Sequence, residues 1–244
     1  VLAEEFLEGW EVSLFAITDG KDYQTTLFAQ DHKQLCDHDL GPNTGGMGAY
    51  CPVDEAEAYR GAIERDILEP VLAAMREEGC PYTGVLYMGL MITMEGPKVI
   101  EFNCRFGDPE TEVILPRLKT DLLPVLAEIA DGKLCQKSLE WHEKACMTVV
   151  MASGGYPGSY QKGLSVHGLP AAKAIQDVVV FHAGTVLNEK KEVVTSGGRV
   201  LAVTALGDNL RLAYDLAYQA IQHIHFEGGF FRRDIGRKAM EVLK

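Results

Sequence analysis

The chain is poor in positive charge: 23 Lys and Arg stand against 35 Asp and Glu in 244 residues, a formal charge of −12. No dense basic run relieves that balance, which excludes a general nucleic-acid or anionic-membrane surface and leaves open only a local cationic pocket for a nucleotide. Long hydrophobic runs are missing too. The longest, Val85 to Met94, is too short to cross a bilayer and is interrupted by Gly89, and no stretch reads as a signal peptide or low-complexity tract. Cysteine is scattered singly at 36, 51, 80, 104, 135 and 146, without a C-x-x-C pair or zinc spacing, so reduced thiols in a cytoplasmic protein are expected. His32, His38, His142, His167, His182, His223 and His225 form no order with Ser, Asp or Cys that would support covalent catalysis.

What remains is ordinary globular composition, 47% hydrophobic and 24% charged, long enough for one large or two small domains. Val1 to Leu7 reads as a strand already under way with no Met before it, so the chain is expected to be a portion of something longer. Val12–Thr18 and Tyr23–Ala29 pattern as strands around the Asp19-Gly20 turn, a hairpin. Residues 31–50 are polar and Gly-rich and read as a long functional loop. Asp54 with Glu57 suggests a capping box, followed by a helix with Ile63, Ile67, Val71 and Ala74 inward, kinked at Pro70 and stopped by Gly79. A second hairpin, Gly84–Thr93 with Lys98–Asn103, turns at residues 94–97, and helices follow at about 110–118 and 121–130, closed by Gly132. From about Lys133 short strands with Gly-rich turns take over, at Ala145–Ala152, Val178–His182 and Val200–Ala205. A last amphipathic helix runs from Asn209 to His225, with Ala213, Leu216, Ala217, Ala220, Ile221 and Ile224 inward. The expected division is therefore 1–132 and 133–244.

Within this frame Glu101 and Asn103 lie two residues apart on an apolar strand, hence on one face, with Ile100 and Phe102 on the opposite, core-facing side. Two hard oxygen donors suit Mg²⁺, which takes few protein ligands and fills its octahedron with water and phosphate. Arg105 adds a planar cation suited to phosphate or carboxylate. Asp108-Pro109 reads as an N-cap with Pro at the first helical position, exposing amides to an anion. A solvated strand face running into a turn is the alternative for an isolated E-x-N.

Residues 39–50 carry four glycines in eight residues, enough for a backbone that closes over a ligand, or for a flexible surface loop; neither a Walker loop nor G-x-G-x-x-G is present. Glu4 to Glu11 passes from apolar to acidic and back, which suits either an adenine-binding edge or a solvated acidic turn. His182–Thr185 and Gly197–Arg199 read as tight strand ends.

The motifs QDHK at Gln30–Lys33, GPNTGGMGAY at Gly41–Tyr50, YTG at Tyr82–Gly84, PKVIEFNCRFGDPE at Pro97–Glu110, VVMASGGYPG at Val149–Gly158, FHAGT at Phe181–Thr185 and GGRVLAVTA at Gly197–Ala205 run end to end. By them the chain resembles the glycinamide ribonucleotide synthetase (phosphoribosylamine–glycine ligase) family, ATP-grasp enzymes of purine biosynthesis. The resemblance implies an α+β fold: the C-terminal lobe of an ATP-grasp, an antiparallel sheet with helices, then a small β-rich C-terminal domain. It implies Glu101 and Asn103 as ligands of Mg²⁺ (or Mn²⁺), and Glu4, Glu5, Phe6 and Leu7 as the hinge strand that holds the adenine of ATP, with Glu11 on its ribose. It further implies that Asp31, Lys33, Asn43, Thr44, Gly45, Gly46, Met47 and Gly48, with Arg105 and Asp108 as catalytic groups, serve glycine and 5-phosphoribosylamine. Nucleic acid and membrane are not among the implied partners. Tyr87–Leu90 stands where many ATP-grasp ligases carry a further acidic metal ligand, and the family's N-terminal portion, with its phosphate-gripping lysines, is a missing partner without which the chain is expected to be inactive. The rivals are another ATP-grasp carboxylate–amine ligase and a non-catalytic nucleotide-binding fragment.

Overall fold

A computed structural model describes residues 3–135 and 138–242. Its strands are β1 (Trp10–Thr18), β2 (Tyr23–Thr25), β3 (Gln30–Asp31), β4 (Gln34–Cys36), β5 (Leu40–Asn43), β6 (Gly48–Cys51), β7 (Gly84–Thr93), β8 (Gly96–Asn103), β9 (Ala145–Ala152), β10 (Val178–His182), β11 (Thr185–Leu187), β12 (Val193–Thr195) and β13 (Arg199–Gly207). The α-helices are α1 (Arg60–Ile63), α2 (Glu69–Glu77), α3 (Thr111–Ile114), α4 (Leu122–Ala130), α5 (Leu169–Lys173), α6 (Leu210–Ile221) and α7 (Arg237–Val242). The fold is α+β with antiparallel sheets. The chain makes two compact units that interleave in sequence: the first from residues 1–30, 52–107 and 118–142, the second from 31–51, 108–117 and 143–244. Two excursions, 31–51 and 108–117, thus leave the first of the stretches expected from sequence.

In the first unit the sheet order is β2-β1-β7-β8. The first hairpin forms, Thr18 facing Tyr23, with Asp19 accepting the amides of Lys21 and Asp22 and Gly20 at φ +96°, but its second strand ends at Thr25, short of the expected Ala29. The second forms too, Thr93 facing Gly96. Val12 to Thr18 of the central strand β1 is buried without interruption, so both faces of that strand are covered. Ile17 packs with Val125 and Ile129 of α4, whose N-cap Asp121 accepts the Leu123 amide and whose exit turns at Gly132 (φ +70°).

The continuous helical segment between the two β-hairpins departs from its pattern. Residues 54–59 form a 3₁₀ turn with no side-chain cap, because the Glu57 carboxylate is taken by Arg60 (2.7 Å) instead of reaching back. Residues 64–68 form a π turn ahead of Pro70, which has no N–H to donate and whose ring crowds the carbonyl four residues back. That extra residue moves the buried stripe to Ile63, Leu68 and Leu72 and leaves Ala74 exposed. The strand expected over Val1–Leu7 does not form in its described part: residues 3–8 have no strand pairing, and Val1 and Leu2 lie outside the described residues.

The second unit is built on the sheet β10-β13-β9-β6-β3. Every residue of β9 is buried. Helix α6 packs on β13 and β9, with Asn209 accepting the Leu212 amide at its start, and ends at Ile221, short of the expected His225; Ala213, Ala217, Ala220 and Ile221 are its buried face. Residues 31–50 are not a loop: β4 pairs with β5, and β6 pairs with β9 from Gly48↔Val149 to Cys51↔Cys146. All six cysteines are free thiols. Among the described residues no helix is long and apolar enough to cross a membrane.

Candidate functional site

In the first unit, β8 delivers Glu101 and Asn103 to the end of an edge strand. The Asn103 amide nitrogen donates to Glu101 Oε1 at 3.1 Å, so the two side chains share a face as alternation requires. The opposite face is not closed core. Phe102 is 38% exposed, because β8 has a neighbour on one side only and its register against β7 shifts at Gly89/Leu90, Gly89 facing Glu101 and Leu90 facing Val99. Gly89, which faces Glu101 on the neighbouring strand, brings no side chain to this place: a Cβ there would sit 3.2 Å from Glu101 Cγ. Among the described residues no group of three or more His, Cys, Asp and Glu could hold a metal. The donor set therefore fits a hard cation only with two protein oxygens, the amide turned to present its carbonyl, and the remaining positions supplied by phosphate and water.

Around this strand end, Arg105 is exposed and donates to the Phe106 carbonyl at 2.9 Å. Glu4, Glu5 and Phe6 are exposed, Phe6 at 87%, while Leu7 is half-buried. Lys98 on β8 reaches Glu5 at 3.4 Å and Glu95 at 2.8 Å. Glu11 sits in β1 facing Met91, and its carbonyl accepts from the Gln30 side chain at 2.7 Å.

The second unit gathers Asp31, Lys33, Thr44 to Gly48 and Asp108. His32 N–H donates to the Gly48 carbonyl, Met47 N–H to the His32 carbonyl and Thr44 N–H to the Lys33 carbonyl, each at 2.8–2.9 Å. The glycines serve contact here. Gly46 (φ +110°) lies where a Cβ would be 2.4 Å from Pro109 Cδ and 2.7 Å from Asp31 Oδ1. Asn43 is exposed at the end of β5.

Asp108 is not an N-cap. Its carboxylate is held by Arg199 Nη1 at 2.9 Å, and the helix begins later, at Thr111, with the amides of Val113 and Ile114 turning onto the Glu110 carbonyl. The same Arg199 nitrogen donates to the carbonyls of Gly45 (2.7 Å), Gly46 (3.4 Å) and Asp108 (2.9 Å). Gly45 N–H donates to the Tyr156 hydroxyl at 3.0 Å.

Four carboxyls share this place, Asp31, Asp108, Glu110 and Glu112. Burial, then the charge of Glu110, pushes Asp31 well above the usual carboxylate range against the pull of Lys33 and Arg199, and Asp31 Oδ1 is buried without a hydrogen-bond partner. Burial and the charge of Asp108 push Glu112 up to about 7, and its Oε2 is likewise buried and unpartnered. Behind them His32 accepts the Gly236 amide at Nε2, and burial holds it neutral, down at about 4. These carboxyls are suited to a cationic or proton-donating group.

The sequence reading named Asp31 and Asp108 for the substrates; beside them here stand Arg199, which it took for part of a tight strand end, and Glu112 and Tyr156, which it did not name. Arg199 carried a signal: it is the lone charge opening an apolar strand, RVLAVTALG, in a chain short of cations. Gly184 and Gly197 do have the structural task expected, since their backbones touch; a Cβ on Gly184 would lie 2.5 Å from Gly197 Cα.

Two family models match, described as phosphoribosylglycinamide synthetase, ATP-grasp (A) domain, over residues 1–111, and phosphoribosylglycinamide synthetase, C domain, over residues 146–238. The phosphoribosylamine–glycine ligase of Escherichia coli O157:H7 is 50% identical over 244 residues, which are 99% of this chain and 56% of that protein. The trifunctional purine biosynthetic protein adenosine-3 of Bos taurus is 52% identical over the whole chain, which covers 24% of it. Among solved structures, phosphoribosylamine–glycine ligase from Thermotoga maritima superposes with a TM-score of 0.85 at 35% identity, covering 95% of this chain and 57% of that one. The chain thus spans about half the length of the single-function relatives and a quarter of the trifunctional one and belongs to the phosphoribosylglycinamide synthetase family of ligases, with an ATP-grasp part followed by the family's C domain.

Proposed function

We propose that the chain contributes to the ATP- and Mg²⁺-dependent joining of glycine to 5-phosphoribosylamine, giving glycinamide ribonucleotide in purine biosynthesis. The observation that carries this reading is the pairing of Glu101 and Asn103 on one face at the end of β8, an oxygen-donor pair in the ATP-grasp part of the chain. Glu101 and Asn103 would hold Mg²⁺ (Mn²⁺ being a substitute), which when bound neutralises phosphate charge and orients the transferred group.

The chemistry asks for two displacements. A glycine carboxylate oxygen attacks the γ-phosphorus of ATP and ADP leaves, making glycyl phosphate. The amine nitrogen of 5-phosphoribosylamine then attacks the acyl carbon, the C–O bond to phosphate breaks, phosphate departs with the electron pair, and the amine loses a proton. No enzyme nucleophile is needed, which agrees with the want of one in the sequence; positioning supplies the rate.

In this reading Glu4 to Leu7 lies along adenine and Glu11 on ribose, and Arg105 of the first unit is a catalytic group, while Asp31, Lys33, the Asn43–Gly48 segment and Asp108 of the second unit serve glycine and the phosphorylated amine. The unpartnered Asp31 and Glu112 oxygens support a subsite for an amino or ammonium group in the second unit. ADP formation in an enzyme of the relatives' full length, bearing these residues, tests the substrate assignment. Glycine with 5-phosphoribosylamine should support turnover that other small carboxylates and amines do not; equal rates with alternatives would point to a different carboxylate–amine ligase.

A further inference from the structure

We propose that Arg199 is a positioning residue that fixes the Gly45–Gly46 turn and the Asp108 turn to one another, making a single rigid wall of the subsite. The inference rests on the reading above, in which both segments face substrate. Arg199 opens β13, and its backbone is held on both sides: its register partner on β9 is Ala152, and its carbonyl accepts the Gly184 amide at 2.9 Å. From that anchored start the side chain, about one-fifth exposed, spans to two segments remote in sequence, 154 residues to Gly45 and 91 to Asp108.

One nitrogen, Nη1, makes every bond. It donates to Gly45 O at 2.7 Å and to Asp108 O at 2.9 Å, more weakly to Gly46 O at 3.4 Å, and forms an ion pair with Asp108 Oδ1 at 2.9 Å. The guanidinium also lies flat against Gly45, where a Cβ would come 3.1 Å from Cζ and from Nη2. What sets the guanidinium apart from an ammonium here is its plane: laid against Gly45, it gives that one nitrogen a fixed direction, whereas a lysine ammonium on a flexible stem has none. Neither turn is fixed at its tip by the sheet itself. Gly45 is braced on its other side by the Tyr156 hydroxyl, and Asp108 precedes the start of α3 by three residues.

The consequence is specific to substrate placement. Without Arg199 the sheet, α6 and the Asp31 backbone keep their own bonds, but the two turns drift independently, and a misplacement of about 1 Å is enough to cost on the order of a hundredfold in a positioned reaction. Arg199→Ala and Arg199→Lys should be compared with Asp108→Asn and Asp31→Asn in an enzyme of the relatives' full length bearing these residues. For Arg199→Ala the KM of glycine or of 5-phosphoribosylamine should rise roughly tenfold or more, Arg199→Lys should recover only part of it, and the KM of Mg·ATP should move less than about twofold. In the 244-residue chain, hydrogen exchange at Gly45–Met47 should quicken about tenfold or more in Arg199→Ala while β9 and α6 keep their protection. Unchanged substrate KM in a folded Arg199→Ala protein, or unchanged exchange at those amides, overturns the inference. If Asp108→Asn and Asp31→Asn raise substrate KM while Arg199→Ala does not, only the positioning role fails. Should all three leave it untouched, the substrate reading fails and the positioning role with it.

Discussion

Arg232→Met should be the most damaging single change in the second unit that stays clear of the proposed chemistry. Arg232 is 1% exposed and satisfied on three sides: Nε and Nη2 donate to the two oxygens of Asp234 at 2.9 Å, Nη2 to Asp39 at 2.9 Å, and Nη1 to the Gln34 carbonyl at 3.0 Å. Methionine keeps the apolar stem and removes the cation, leaving two carboxylates and a carbonyl facing a thioether. Removing one partner of a buried ion pair costs about 3–5 kcal/mol. The lower end applies, about 3 kcal/mol, since Lys238 remains on Asp39 at 2.6 Å and the His38 amide on Asp234 at 2.8 Å. For a chain of this size that is a fall in Tm of about 6–12 °C. The deficit carries a pH signature. Burial works to raise the Asp234 carboxyl, but the bonds from Arg232 outweigh it and bring it from 3.8 down to about 2. A lowered acid stabilises the fold above its unfolded value and loses that contribution as pH falls toward 2. Wild type should therefore lose its advantage below about pH 4, where the stranded carboxylates of the variant take up protons. Thermal unfolding followed by circular dichroism at pH 7 and at about pH 3 would show a gap that narrows in acid. A deficit under about 1 kcal/mol at pH 7, or one that stays constant with pH, would refute the argument.

Three further outcomes follow from the packing. Gly46→Ala should cost about 2–4 kcal/mol in urea unfolding, because its φ of +110° and its approach to Pro109 and Asp31 both resist a methyl; a change under about 0.5 kcal/mol would show that the turn is soft. Glu112→Gln should flatten the stability profile between pH 4.5 and about 7: the raised carboxyl binds a proton more tightly folded than unfolded, so wild-type stability falls as pH rises through that window, and the variant should gain on it at pH 8. A profile unchanged by the substitution would remove Glu112 from the account. Leu68→Ala should cost about 3 kcal/mol and Ile67→Ala about 1 kcal/mol, since the π turn buries Leu68 and leaves Ile67 partly exposed; the reverse order would mean that an unbroken α-helix forms there.

What could be read from the sequence was what local chemistry decides. Asp19-Gly20 fixed one hairpin, the 94–97 turn the other, two helices start where expected, at Asp121 and Asn209, and alternation put Glu101 and Asn103 on one face. Two of the failures share a cause in contacts remote along the chain, and the third is local. Asp108 looked like a cap because Pro109 follows it, but its carboxylate goes to Arg199, 91 residues on. The glycines of 41–48 looked like freedom to move, yet Gly46 and Gly48 are small because Pro109, Asp31, Thr148 and Ile235 press against them. The helical stripe was misplaced by one residue because a proline changed the turn before it, which a 3.6-residue period cannot register.

Binding of Mn²⁺ in the presence of ATP, followed by electron paramagnetic resonance on the 244-residue chain, tests the central claim most directly. Glu101→Gln and Asn103→Ala should each weaken nucleotide-dependent Mn²⁺ binding by roughly tenfold or more, at an unchanged Tm, because both side chains stand on an exposed strand end and neither carries the core. Wild-type binding retained by both variants would contradict the assignment of this strand end as the metal site.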